Sequence, residues 1–197
     1  IRTPLNGVIG FMNILADTDL NAEQSEYVDA VRSSGNTLML LINDILDFSK
    51  IESGQLKLEV LRFNLVALLR QLVGLYFPQA TQKGLNLSIA IDDDVPRWIE
   101  ADEVRIRQII TNLLSNAVKF TASGEIRIVV SAKQLVDAAG TCSIRFEVRD
   151  TGIGIAQAQL QQLFQPFVQG DSSTTRKYGG SGLGLVISKR LAEAMDG

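Results

Sequence analysis

The chain has 197 residues, 46% of them hydrophobic and 21% charged, enough for one or two compact domains with a proper core. A net charge of −3 offers no basic footprint for nucleic acid or an anionic membrane surface. With no histidine and one cysteine, Cys142, the sequence excludes an internal disulfide and the usual zinc spacings, and no stretch reaches the roughly 18 apolar residues of a membrane span.

From Ile1 to about Gly54 the pattern is helical. Leu5, Val8, Met12 and Leu15 recur at spacings of three and four, as do Val28, Val31, Leu38, Ile42 and Ile45, with Gly35 in the one heptad slot left unfilled. Asp17-Thr18-Asp19-Leu20-Asn21 supplies turn chemistry between them, and Asn21 with Gln24 reads as an N-cap and its capping-box partner. The expectation is an antiparallel hairpin that pairs with a second copy as a four-helix bundle, since a lone hairpin buries only part of these seams; a hairpin packed onto its own second domain is the alternative.

From residue 55 onward the texture is mixed. Residues 56–64 read as a strand, and Asn64 caps a helix carrying Leu65, Leu68, Leu69, Leu72 and Leu75 that stops at Gly84, before a strand over 86–91. Residues 125–131 and 143–150 alternate with period two and are expected to pair as a hairpin. Cys142 reads as a small buried hydrophobe. The long irregular stretch 168–182, rich in Gly, Ser and Thr, has the length of a functional loop or lid.

Between these strands, the segment 102–121 is a helix with two unlike faces. Ile106, Ile109, Ile110, Leu113, Leu114 and Ala117 form the apolar side, whereas Arg105, Gln108, Asn112, Asn116 and Lys119 form a polar stripe. Asparagine is a poor helix former, so two of them one turn apart suggest a site for a polar ligand or a hard cation; a solvated face is the alternative. In SIRFEVRDTGIGI, residues 143–155, strand parity puts Asp150 on the face of Ile144, Phe146 and Val148, inward at the strand's end. Gly152 and Gly154 follow, so a flat ligand with an amino group, such as adenine, fits there unless the motif is merely a turn. Gly179, Gly180, Gly182 and Gly184 precede an apolar-periodic helix and offer backbone N–H groups to phosphates.

In this order and spacing, DEVRIRQIITNLLSNAVKFT, RDTGIGI, LFQPFVQGDSSTTRKYGG and GGSGLGL resemble the N, G1, F and G2 boxes of the sensor histidine kinases of two-component signalling. IRTPLNGVIG with LINDILDFSKIESG resembles their dimerisation and phosphoacceptor hairpin, in wording closest to the hybrid kinases of phosphorelays. The resemblance implies an α+β chain: a helical hairpin over 1–54 forming a dimeric four-helix bundle, then a Bergerat-type (GHKL) α/β sandwich over 55–197 that binds ATP with Mg²⁺. It implies a His-Glu pair immediately before Ile1, further strands beyond Gly197, and a cytoplasmic domain whose parent is anchored in the bacterial inner membrane through other parts. Helix phase, with Leu5 and Val8 in the core, puts the acceptor position on the outer face with Thr3. The implied partners are a second copy and a response-regulator receiver domain, not nucleic acid.

Carried over residue by residue, Asn112 and Asn116 would hold Mg²⁺, Lys119 would contact phosphate and Phe120 would pack near the nucleoside. Asp150 would accept from the adenine amine beside Gly152, Gly154 and Ile155, while Gly180, Ser181, Gly182, Leu183 and Gly184 would close on the phosphates. Arg176 and Lys177 are lid cations without an assigned role, and Phe164 and Phe167 would pack the lid base. Thr3 would help position water for dephosphorylating a regulator, or merely serve the bend at Pro4. Two other functions compete. Hydrolases of the Hsp90, gyrase and MutL group carry a water-activating Glu where this chain has Asn112, an amide that cannot accept the proton. A non-enzymatic ATP-binding dimerisation scaffold would have no need of Thr3.

Overall fold

Capping chemistry organises the first unit. The Asn21 side chain accepts from the Gln24 N–H and the Gln24 side chain accepts from the Asn21 N–H, so α2 (Ala22–Glu52) starts on a complete capping box, after a short turn from α1 (Arg2–Ala16). The computed structural model describes residues 2–134, 140–160, 162–168 and 182–197, and the chain divides into Ile1–Leu56 and Lys57–Gly197. The α1–α2 pair is antiparallel: Arg2 near one end of α1 donates to Asn43 late in α2, while Ile9 meets Gly35. Gly35 is buried, and a Cβ there would lie 3.0 Å from Ile9 Cγ1. The expected gap in the heptad is therefore a seat for Ile9. Val28 is buried, but Val8, Val31, Leu38 and Ile45 are 44–48% exposed and Phe11 is 72% exposed.

In the second unit, β1 (Leu61–Asn64) pairs antiparallel with β3 (Trp98–Ala101), and β2 (Leu85–Ile91), β4 (Gly124–Gln134) and β5 (Ser143–Asp150) form a three-stranded sheet in the order β2-β4-β5. β2 runs parallel to β4, and β5 antiparallel to it, with Ile126 opposite Asp150 and Val130 opposite Phe146. The helices α3 (Leu65–Gln82) and α4 (Glu103–Phe120) pack on this sheet, a short α5 (Gln157–Leu160) follows β5, and α6 (Gly184–Ala194) packs on α4. Leu65, Leu69 and Leu72 from α3, Ile110 and Leu114 from α4, and the fully buried Ile126, Ile128 and Val130 of β4 make the core. A helical hairpin followed by an α/β sandwich is the expected fold.

Three local expectations are corrected. Residues 56–60 do not join the first strand: β3 offers only four partners, and the Glu59 N–H instead donates to the Asp102 carboxylate at 3.0 Å. Leu75 is 65% exposed; the buried position on that turn is Tyr76, which continues the 68, 72, 76, 80 spacing of four, whereas three steps on from Leu72 the helix has turned away from the sheet. Cys142, ahead of β5, is only half-buried.

Candidate functional site

The polar stripe lies on α4, so the helix must first be fixed. Asp102 caps it: the carboxylate, 5% exposed, accepts from the Arg105 N–H at 3.0 Å and from Glu59, joining the helix start to the segment before β1. At the other end the Lys83 ammonium donates to the Val118 carbonyl at 2.6 Å, a cation at the negative end of the helix dipole. Ile106, Ile110, Leu114, Ala117 and Val118 are buried, while Arg105, Gln108, Asn112, Asn116 and Lys119 are all half-buried. No residue of the stripe has the open exposure of a solvated face.

Two glycine motifs meet the helix that carries this stripe. Near the C-terminal end, the Ile153 N–H donates to the Phe120 carbonyl at 3.3 Å, and a Cβ on Gly152 would lie 2.6 Å from that same oxygen. Only glycine lets the turn after β5 approach α4 so closely. Near the middle, the Asn112 side-chain amide donates to the Gly184 carbonyl and to Ser188 Oγ, both at 3.2 Å, joining α4 to α6. Residues 112 and 120 are about 12 Å apart along the axis at 1.5 Å per residue, so one helix holds both motifs along a single site.

Asp150 shares side-chain parity with Ile144, Phe146 and Val148, which are half-buried, but it is exposed rather than inward. It stands at the last pair of the β4–β5 ladder, beyond the apolar face. One carboxylate oxygen accepts from the Gly152 N–H at 2.9 Å, an Asx turn that holds the side chain over the following backbone. Gly154 has φ +67°, and Ile155 beside it is exposed. The turn is anchored by Thr151, which the sequence reading did not single out: its hydroxyl accepts from the Glu125 N–H at 3.0 Å, at the spot a Cβ on Gly124 would occupy.

Lys119 projects from the last turn of α4 with its ammonium 4.8 Å from the Phe120 ring centroid, and partial burial holds its pKa below the ordinary lysine value. A cation whose charge is penalised by burial favours an anionic ligand. Leu183 is buried at the start of α6 and carries no capping oxygen, leaving the first-turn N–H groups of that helix to other acceptors. Gly182 has φ +69° and packs on the backbone of Phe167, itself at φ +63°. Phe164 and Phe167, expected at the lid base, are 48% and 65% exposed, and the Lys189 ammonium lies over the Phe164 ring. Gly179, Gly180, Ser181, Arg176 and Lys177 lie outside the described residues. In the other unit Thr3, on α1, is exposed.

Comparison with known proteins agrees with this arrangement. Residues 1–54 match the His Kinase A (phospho-acceptor) domain, and residues 101–197 match the family described as histidine kinase-, DNA gyrase B-, and HSP90-like ATPase. Over all 197 residues the chain is 44% identical to the signal transduction histidine-protein kinase BarA of Escherichia coli K12, covering 21% of that protein. It is also 44% identical to the autoinducer 2 sensor kinase/phosphatase LuxQ of Vibrio harveyi, covering 23% of it, so the chain spans about a fifth of these curated relatives. The structure of full-length ShkA in complex with AMPPNP matches with a TM-score of 0.79 at 41% identity, over 99% of this chain and 39% of that one. With an acceptor-type hairpin and an ATPase-type sandwich matched along its length, the chain belongs to the signal-transduction histidine kinases.

Proposed function

We propose that this chain is the catalytic core of a protein-histidine kinase that binds ATP with Mg²⁺ and passes the γ-phosphoryl to a histidine, for relay to an aspartate of a response-regulator receiver domain. The observation that carries the reading is the clasp of both glycine motifs on α4, the helix that carries the amide stripe. Asp150, pinned by Gly152, offers its second carboxylate oxygen to an adenine amine, with Gly152 and Gly154 leaving room for the ring and Ile155 beside it. Phe120 lies along the nucleoside and Lys119 meets phosphate. Gly180, Ser181, Gly182, Leu183 and Gly184 would bring backbone N–H groups to the phosphates.

Amide oxygens are hard donors, and the NH₂ end of Asn112 is already engaged, so its Oδ1 suits a small divalent cation. Asn112 and Asn116 would hold Mg²⁺, which when bound neutralises charge on the phosphates. Among the described residues no three His, Cys, Asp or Glu side chains cluster, so such an ion would rely on amides and phosphates. Asn112 cannot take a proton from water, which favours transfer to an external nucleophile over hydrolysis.

The exposed apolar residues of the hairpin, Val8, Phe11, Val31, Leu38 and Ile45 among them, support a homodimer through a four-helix bundle. Thr3 would serve a phosphatase reaction on the regulator. We place the core in the cytoplasm, where ATP is available, with any anchoring to the inner membrane left to other parts of the parent; among the described residues no helix is long and apolar enough to cross a membrane.

The test is transfer of label from [γ-³²P]ATP, comparing the chain, which has no histidine, with the same chain bearing His-Glu ahead of Ile1. Acid-labile, alkali-stable label on the extended form alone is expected. ATP binding without label would favour the scaffold, and steady release of free phosphate without label would favour the hydrolase.

A further inference from the structure

We propose that Ser188 is a positioning residue that, together with the Gly184 carbonyl, sets which end of the Asn112 amide faces the bound cation. The inference rests on the reading of Asn112 as a Mg²⁺ ligand and deepens it.

A carbonyl oxygen only accepts, so the end of the Asn112 side chain 3.2 Å from Gly184 O must be the NH₂ group. That group has two N–H donors. Gly184 O takes one, and Ser188 Oγ, also at 3.2 Å, takes the other. Both acceptors sit one turn apart on α6, and Ser188 is only 6% exposed. Two acceptors fix the amide plane against rotation as one would not, and turning the amide over would set Oδ1 against the Gly184 carbonyl. Oδ1 is thus presented as the acceptor end of the group. The backbone carbonyl cannot be removed by substitution, whereas the hydroxyl can. Orientation of a first ligand by a neighbouring hydrogen bond is worth about 10- to 100-fold in metal affinity.

The full chain is titrated calorimetrically with ATP, once with MgCl₂ and once with EDTA, and the ratio of the two affinities is the readout. Ser188→Ala keeps the helix and leaves Asn112 one acceptor, so its melting temperature is expected to fall by only the roughly 2–4 °C that one lost hydrogen bond brings, and its affinity in EDTA to stay at the parent value. Its Mg²⁺-dependent gain is expected to fall about tenfold. Asn112→Ala is the comparison and should lose that gain at least as fully. If Asn112→Ala loses the gain and Ser188→Ala keeps it within twofold, the positioning role is wrong and the ligand reading survives. If Asn112→Ala keeps the gain, the ligand reading itself falls and takes the inference with it. An equal loss in EDTA and in MgCl₂ for Ser188→Ala would mean a damaged fold and would overturn positioning as the cause.

Discussion

Gly152→Ala should cost nucleotide affinity far more than its size suggests. The added methyl carbon would sit 2.6 Å from the Phe120 carbonyl oxygen, 2.7 Å from Asp150 Oδ1 and 3.1 Å from the Phe120 carbonyl carbon. Ordinary carbon–oxygen contact is about 3.3 Å, so the turn must withdraw from α4 by roughly 0.7 Å. Neither neighbour yields cheaply: one is backbone at the end of a buried helix, the other the carboxylate proposed to read adenine. Withdrawal strains two hydrogen bonds, Gly152 N–H to Asp150 at 2.9 Å and Ile153 N–H to Phe120 O at 3.3 Å. Overpacking of this kind costs about 1–3 kcal/mol, and displacing a charged acceptor from its ligand loses a bond worth about 1.5–3 kcal/mol. At 1.4 kcal/mol per factor of ten, ATP affinity should fall about 10- to 100-fold, while unfolding in urea shifts by the smaller overpacking cost. Calorimetry on the parent chain and the variant measures the first, and denaturation the second. If Gly152→Ala binds ATP within twofold of the parent, the close approach of this turn to α4 does not position the adenine site.

Gly35→Leu separates two pictures of the hairpin. Were position 35 an empty heptad slot, leucine would fill it and raise the melting temperature of the helical signal; with Ile9 Cγ1 only 3.0 Å from the new Cβ, we expect a loss of about 1–3 kcal/mol instead. Gly124→Ala should destabilise the sandwich by about 2–4 kcal/mol in urea unfolding, because φ is +107° and the methyl would fall 2.2 Å from Thr151 Oγ1. Adding Thr151→Ala to it should recover the contact part alone, and full recovery would show that backbone strain at position 124 is negligible.

What local chemistry controls is legible in the sequence. The Asn21–Gln24 capping box, the alternation of Ile126, Ile128 and Val130, and the paired run ending at Asp150 depend on residues a few positions apart. The two asparagines stood out because a mid-helix amide stripe is costly for the helix itself. Features made by packing were not readable. Ile9 finds Gly35 only once the two helices are laid together, and Ser188 finds Asn112 across 76 positions of sequence. β3 has four residues and no pattern of its own beyond the partners β1 supplies. Asp150 is exposed although parity implies an inward position, because parity tells which face a residue shares, not whether the sheet still covers that face at its end.

The geometry also bears on why an ATP site of this kind would hold the γ-phosphoryl for transfer. α4 is tied at four places: to the segment before β1 through Asp102, to α6 through Asn112, to the turn after β5 through Phe120, and to Lys83 through Val118. A helix so fixed presents its polar stripe without rearrangement, and preorganised groups stabilise developing charge at no cost of reordering. At the position where a hydrolase of this superfamily would carry a water-activating carboxylate, this chain has an amide that is not only non-basic but already committed through both its N–H groups. Swinging that side chain to assist water would break two hydrogen bonds to α6, each worth about 1 kcal/mol. The substitution Asn112→Glu would set an acceptor against the Gly184 carbonyl and lose both hydrogen bonds that tie α4 to α6, so it is expected to loosen α6 from α4. Retention of the phosphoryl group for a histidine follows, on this reading, from what α6 does to Asn112 as much as from the identity of the residue.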